Sequence, residues 1–253
     1  MALSQRHTLL LLRTSLFFVY AQFTVLSSAY AQQLPGTENG EWRYLGGDAG
    51  NTRFSALDQI NESNFAELEQ AWIWRSDNFG PNLDYFSRAT PIYVNETLYT
   101  VATPRRQVIA IDPRTGENLW TFREPETIRH QRSPRQAYGK GVAYAEVDGR
   151  GVIYITTPGF FLWALDAETG LPLENWGNAF PVGGYPKTGV IDLVPQLVKD
   201  WQPWQDYLVS GGAYDADYGI PRELGMVTAS APPIVVNGVV VVLVGHQPSY
   251  GQT

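Results

Sequence analysis

The pattern Ala-x-Asp-x-x-Thr-Gly occurs twice, at residues 110–116 (AIDPRTG) and 164–170 (ALDAETG), which places Asp112 and Asp166 fifty-four residues apart. Recurrence at such a period marks a repeat fold, in which no unit can bury its own faces and each must stack on its neighbours. The residues between the copies are strand-like. Residues 92–94, 97–102, 108–111 and 118–122 are short runs rich in β-branched and aromatic side chains, broken at Asn95-Glu96, at Pro104-Arg105-Arg106 and at the motif itself. A second pass runs through 142–147, 151–156 and 161–165 to the second motif. A third opens at Ile234, with two strands around an Asn237-Gly238 hairpin turn.

Each residue of the motif has a physical task. The aspartates can accept hydrogen bonds from the backbone of the turn that follows. Gly116 and Gly170 supply the positive φ that ends it, and Ala110 and Ala164 are small where sheets approach closely. Trp120 follows Gly116 by four residues; its flat ring is too large for one sheet to bury and would wedge between neighbours. Four strands per unit with aromatic wedges between units predict an all-β chain, a partial β-propeller of about three four-stranded blades. The second copy departs from the first. Glu174 stands where Trp120 would, which leaves Leu173 or Trp176 as the second wedge.

Ahead of the repeats, residues 60–71 predict a short N-terminal helix, with Ser63 as N-cap and Phe65, Leu68 and Ala71 on one face. Residues 181–228, with Gly, Pro and Trp throughout, read as an excursion over one face of the sheets. Pro195 and Pro203 leave room for one helical turn within 193–208.

The first thirty-one residues read as a cleaved export signal. Arg6, His7 and Arg13 give a positive start, 9–12 and 15–26 an apolar run, and Ala29-Tyr30-Ala31 a small-x-small cleavage site. Arg13 interrupts the apolar run, which argues against the alternative of an uncleaved membrane anchor. The folding domain is then 32–253, placed in the periplasm. Removing Arg6 and Arg13 takes the net charge from −7 to −9, which argues against nucleic acid as a partner, since that needs a basic footprint. The chain has no cysteine, so disulfides, thiol nucleophiles, zinc–thiolate sites and iron–sulfur clusters are excluded. Beyond the signal only His130 and His246 remain, far apart, which argues against a histidine-rich metal site.

The repeat with its trailing Trp resembles the tryptophan-docking motif of the quinoproteins, the pyrroloquinoline quinone (PQQ)-dependent alcohol and sugar dehydrogenases. The resemblance extends over nearly all of 32–253. It includes Trp42, Gly46-Gly47-Asp48, Thr52-Arg53-Phe54-Ser55, Gln59-Ile60-Asn61 and Ala71-Trp72, then Ala89-Thr90-Pro91, Gly141-Val142-Ala143-Tyr144 and Ser230-Ala231-Pro232-Pro233. It implies the N-terminal part of a propeller of roughly eight blades, with PQQ on the central axis beside a calcium ion. Such proteins resemble one another in passing electrons from an alcohol or sugar to a quinone or cytochrome acceptor. The redox chemistry belongs to the cofactor, which the protein holds and whose charge it tunes.

The resemblance assigns site residues only where residues match. Ser230 falls where the family places a hydroxyl against the cofactor's carboxylates. Lys140 falls where many members have an arginine against the quinone oxygens; lysine supplies the charge without the bidentate fork. Arg88 falls near an acidic cofactor contact, here with its sign reversed. Gln247 falls near the glutamate that ligates calcium, and a neutral amide there implies weaker metal binding. The family's vicinal cysteine pair would fall near Pro134-Arg135. The proton-accepting aspartate, the later calcium ligands and the tryptophan floor under PQQ would follow residue 253, so the chain by itself is expected to lack turnover and no catalytic residue is assigned. The rival reading is a non-catalytic propeller of PQQ-like repeats acting as an envelope scaffold or binding module. Ser230 and Lys140 weigh against it, and Gln247 for it.

Overall fold

The computed structural model describes residues 35–79, 87–127, 130, 139–178, 188–193 and 231–243. The export signal, Pro134-Arg135, the turn expected within 193–208 apart from Leu193, Ser230 and Gln247 lie outside the described residues. Backbone contacts divide the chain into Met1–Pro35 and Gly36–Thr253, and all strands belong to the second unit.

The first sheet is antiparallel, in the order β1 (Ile92–Val94), β2 (Thr97–Ala102), β3 (Gln107–Ile111), β4 (Asn118–Phe122). The second repeats that order with β5 (Ala143–Val147), β6 (Arg150–Thr156), β7 (Phe161–Asp166) and β8 (Val190–Asp192). A hairpin follows, β9 (Ile234–Val236) with β10 (Val239–Val241). The first connection of each unit is a two-residue turn with positive φ at both positions: Asn95 and Glu96, Asp148 and Gly149, Asn237 and Gly238. That is type I′ geometry, whose twist matches the strands it joins.

The sheets are stacked in chain order. Trp72, Trp74 and Phe79 pack on one face of the first sheet, over Ala102, Ile109 and Ile111. Its other face meets the second sheet in the largest apolar cluster, which includes Val108, Phe122, Ile153 and Trp163. The far face of the second sheet, with Tyr154, Leu162 and Ala164, takes Val235, Val240 and Val242 of the third unit. Strand β3 is buried at every position, and β7 at all but Asp166. Such strands read as continuous apolar runs because both of their faces are covered.

The motif does what its residues dictate. Asp112 Oδ1 accepts the Arg114 amide at 2.8 Å, and Asp166 Oδ1 the amides of Glu168 at 3.1 Å and Thr169 at 2.9 Å. Gly116 and Gly170 close the turns at φ 76° and 72°. Trp120 leaves β4 and lies over Gly170 of the next unit, where a Cβ would come within 2.5 Å of its ring. Its Nε1 donates to the Ala167 carbonyl at 2.9 Å. Trp72 does the same one unit earlier. It lies over Gly116, where a Cβ would come within 2.8 Å, and donates to the Pro113 carbonyl at 2.9 Å. The indole wedges are thus seated between successive units, and the two motifs belong to different sheets.

Two expectations change. The helix over 60–71 is one 3-10 turn, Phe65–Glu67, with Asn64 rather than Ser63 at its start. Phe65, Leu68 and Ala71 are all exposed. Polar side chains capture the backbone that a helix would need: Asn61 Oδ1 accepts the Ser63 amide at 3.0 Å, Asn64 Oδ1 the Asn61 amide at 2.8 Å, and Asn64 Nδ2 donates to the Gln59 carbonyl at 2.7 Å.

The fourth strand of the second sheet is split. Residues after the motif pair briefly beside β7, through the Leu165–Pro172 bridge and the Leu173 amide donating to the Ala164 carbonyl at 2.9 Å. Pro172 has no amide to extend that ladder. Strand β8, inside the segment read as an excursion, pairs instead with Phe161, Leu162 and Trp163. Leu173 and Trp176 both pack on the core, Trp176 at 5.7 Å from the Tyr154 ring, so the two residues divide the part that Trp120 plays alone.

Candidate functional site

The strand registers give the sheets two chemically different ends. One end carries the type I′ hairpins and the Asp-x-x-Thr-Gly turns. At the other lie the β2–β3 and β6–β7 connections, the exit from β4 and the approaches to β1 and β5. That second end is rich in buried polar side chains, among them Arg106, Glu124, Thr127, His130, Thr156 and Thr157.

Glu124 organises them. It follows β4 in the first sheet, yet its carboxylate accepts Trp163 Nε1 at 3.1 Å and the Thr157 hydroxyl, both from the second sheet. Arg105 Nη2 donates to the Glu124 carbonyl at 3.2 Å and pairs with Glu126 at 2.5 Å. Glu126 Oε1 lies 3.1 Å from His130 Nδ1. Arg106 Nη1 reaches the Thr156 carbonyl at 3.4 Å. These contacts make a polar strut between adjacent sheets, buried at Glu124, Thr157 and Trp163 and open to water at Glu126.

Burial holds the His130 imidazole below its ordinary 6.5; the contact with Glu126 opposes this, and Arg105 and Arg106 add to it. A histidine depressed in the folded chain takes its proton more readily once unfolded. Its contribution to stability is therefore present above pH 6.5 and is lost as pH falls through the lower, folded value. Urea-unfolding midpoints are expected to fall between about pH 7 and pH 5, and His130→Asn to flatten that slope; an unchanged slope in the variant would refute the assignment.

Lys140 and Arg88 are at this same end. The Thr90 amide donates to the Lys140 carbonyl at 2.7 Å, which ties the approach to β1 to the approach to β5. Lys140 is half-buried and Arg88 exposed. Ser230 would precede the approach to β9, and Gln247 follows β10; both lie outside the described residues. Among the described residues no three His, Cys, Asp or Glu side chains gather as a metal group. A separate cleft of about 260 Å³ lies between residues 43–51, β5 and β9. Its Asp48 carboxylate is engaged by its own loop, accepting the Gly50 and Thr52 amides at 2.9 and 3.0 Å and the Thr52 hydroxyl.

The model of the PQQ family, described as the beta-propeller domain of glucose/ethanol/alcohol dehydrogenases, matches residues 42–251. The chain belongs to this family. The quinoprotein is 29% identical over 231 residues to the glycerol dehydrogenase large subunit of Gluconobacter thailandicus, which covers 87% of this chain and 26% of that one. It is 33% identical over 184 residues to the quinohemoprotein alcohol dehydrogenase ADH IIB of Pseudomonas putida, covering 71% and 25%. The solved structure of quinohemoprotein alcohol dehydrogenase ADHIIG from Pseudomonas putida HK5 superposes with a TM-score of 0.50 at 26% identity, covering 82% of this chain and 23% of that one. The quinoprotein chain thus spans about a quarter of the length of the curated relatives it matches, and it matches their N-terminal portion.

Sequence reasoning missed two features of this quinoprotein. Trp72 was legible as part of a family-like stretch, and its position 48 residues before Trp120 was the signal that it is a wedge as well. Glu124 gave no signal: Arg-Glu-Pro-Glu reads as a solvated turn, and only the second sheet encloses it.

Proposed function

We propose that this chain is the N-terminal part of a periplasmic PQQ-dependent dehydrogenase that oxidises an alcohol or sugar. The observation that carries the reading is the repeated wedge, Trp72 on Gly116 and Trp120 on Gly170, within a chain whose family match spans 42–251. Lys140, Arg88 and Ser230 would hold the cofactor's oxygens, and Gln247 would contribute to a calcium site. When bound, PQQ accepts a hydride equivalent from the substrate carbon. The ammonium of Lys140 would balance negative charge on the bound cofactor.

The relatives support the kind of acceptor. One is a 1-butanol dehydrogenase (cytochrome c) of Thauera butanivorans and another a quinate/shikimate dehydrogenase (quinone) of Acinetobacter baylyi. A cytochrome or quinone acceptor is the corresponding proposal here. Export follows from the signal in 1–31; among the described residues no helix is long and apolar enough to cross a membrane.

The chain alone is expected to bind PQQ weakly and to show no turnover. Purified chain with PQQ, calcium and an artificial electron acceptor checks both halves. Alcohol- or glucose-dependent reduction of the acceptor would overturn the claim of inactivity. Absence of PQQ binding that Lys140→Ala could weaken would favour the scaffold reading.

A further inference from the structure

Strands β1, β5 and β9 each lie at the edge of a sheet, and an edge strand presents backbone amides and carbonyls that no strand neighbour satisfies. At β1 the edge is taken. Trp42 and Tyr93 exchange two backbone hydrogen bonds, at 2.8 and 3.0 Å. The chain then continues as residues 43–51 beside β5 and β9, and no backbone hydrogen bond among the described residues joins it to either strand. The cleft of about 260 Å³ is the space left between them.

Its walls are mostly apolar, with Leu45, Val142, Ala143, Pro232, Pro233 and Val235 among them. Two charged side chains line it, Arg43 and Asp48, and both are committed. Arg43 pairs with Glu41 and, at 3.4 Å, with Glu146, and its guanidinium lies 5.5 Å from the centre of the Tyr144 ring. The Asp48 carboxylate is filled by its own loop. A charged ligand would lose its hydration here and meet no uncommitted counter-charge, whereas a neutral one loses little. The volume sets the size. It exceeds the ~150 Å³ apolar cavity that holds benzene and falls short of the ~300 Å³ at which sites for drug-sized ligands begin.

We propose that this cleft binds a small uncharged molecule with one apolar ring or short chain and a single hydroxyl, about six to ten non-hydrogen atoms in all. The apolar body fills the space, and the hydroxyl bonds to backbone groups on the edge of β5 or β9. The proposal is independent of the cofactor, since neither Lys140 nor Arg88 lines the cleft. An occupant would tie residues 43–51 to two sheets that they otherwise pass without backbone pairing, so binding should stabilise the folded unit.

Titration calorimetry of the full chain with benzyl alcohol is expected to show one site. Benzoate, the same ring with a charge, should bind at least ~10-fold more weakly, and glycerol, hydroxyls without the apolar body, should not bind. Ala49→Phe and Ala231→Phe fill the cleft from opposite walls, and each should weaken benzyl alcohol about 10-fold or more, because the added ring takes the space the probe needs. Ala49 is exposed and Ala231 half-buried, so both variants keep the wild-type circular dichroism. Leu119→Phe, exposed on β4, leaves binding unchanged. Benzyl alcohol should also raise the urea midpoint of the wild type and not that of either filled variant. No binding, equal binding of benzoate or glycerol, binding indifferent to both filled variants, a dimer that benzyl alcohol dissociates, or displacement of benzyl alcohol by PQQ would each overturn the proposal. Benzyl alcohol binding without PQQ binding would sink the dehydrogenase reading alone.

Discussion

Trp163→Ala is expected to destabilise the Gly36–Thr253 unit by about 4–5 kcal/mol, near the top of the range for a core aromatic. Trp163 is 0% exposed. It packs 5.0 Å from Phe122 of the first sheet and 6.5 Å from Phe161 of its own. Its removal opens a cavity at the largest inter-sheet interface and takes a donor from the buried Glu124 carboxylate. Trp163→Phe separates the two effects. It keeps an aromatic ring in the interface, so the cavity is smaller, and it loses the donor; it should cost less than the alanine variant, with about 1–3 kcal/mol for the weakened solvation of a buried charge. Urea unfolding followed by circular dichroism checks both variants. If Trp163→Phe proves neutral, the hydrogen bond from Trp163 to Glu124 contributes nothing to stability.

The second large effect concerns the wedge. Gly170→Ala should cost about 2–4 kcal/mol: roughly 1 for a side chain at positive φ and the rest for displacing a packed ring. Gly149 is the internal control. Its φ of 76° nearly equals the 72° of Gly170, yet a Cβ there meets nothing within 4 Å. Gly149→Ala should therefore cost only the conformational part, about 1 kcal/mol. The difference between the two is the contribution of Trp120 lying on its glycine. Combining Gly170→Ala with Trp120→Ala should cost less than the sum, since the ring that is displaced has gone. Additive losses would mean that the ring does not depend on the glycine beneath it, and the wedge would lose its physical basis.

Much of this fold was legible because its signals are local. Nine of the ten described strands, all but β8, follow from runs of β-branched residues punctuated by turns, and Asn237-Gly238 specifies a hairpin without help from the rest of the chain. The aspartates and glycines of the motif satisfy their own turns within five residues, so their roles hold in any surroundings. The errors came where local signals compete. Asn61 and Asn64 can cap a helix or capture backbone, and in the structure they capture it over 59–64. Pro172 forbids continued pairing, but where the chain returns to the sheet depends on which edge of β7 remains open.

The candidate site was less legible. Lys140 and Arg88 were named from a resemblance, and their common placement at one end of the sheets comes from the Thr90–Lys140 hydrogen bond, formed across fifty residues. By itself, the sequence determined the repeat, its turns and the large rings that have no place within one sheet, because periodicity, positive φ and ring size are properties of short segments. Only the tertiary structure decided that Trp72 is the first wedge, that β8 completes the second sheet and that Glu124 is enclosed. Those facts belong to surfaces made by residues far apart in the chain, and burial exists only once both surfaces have met.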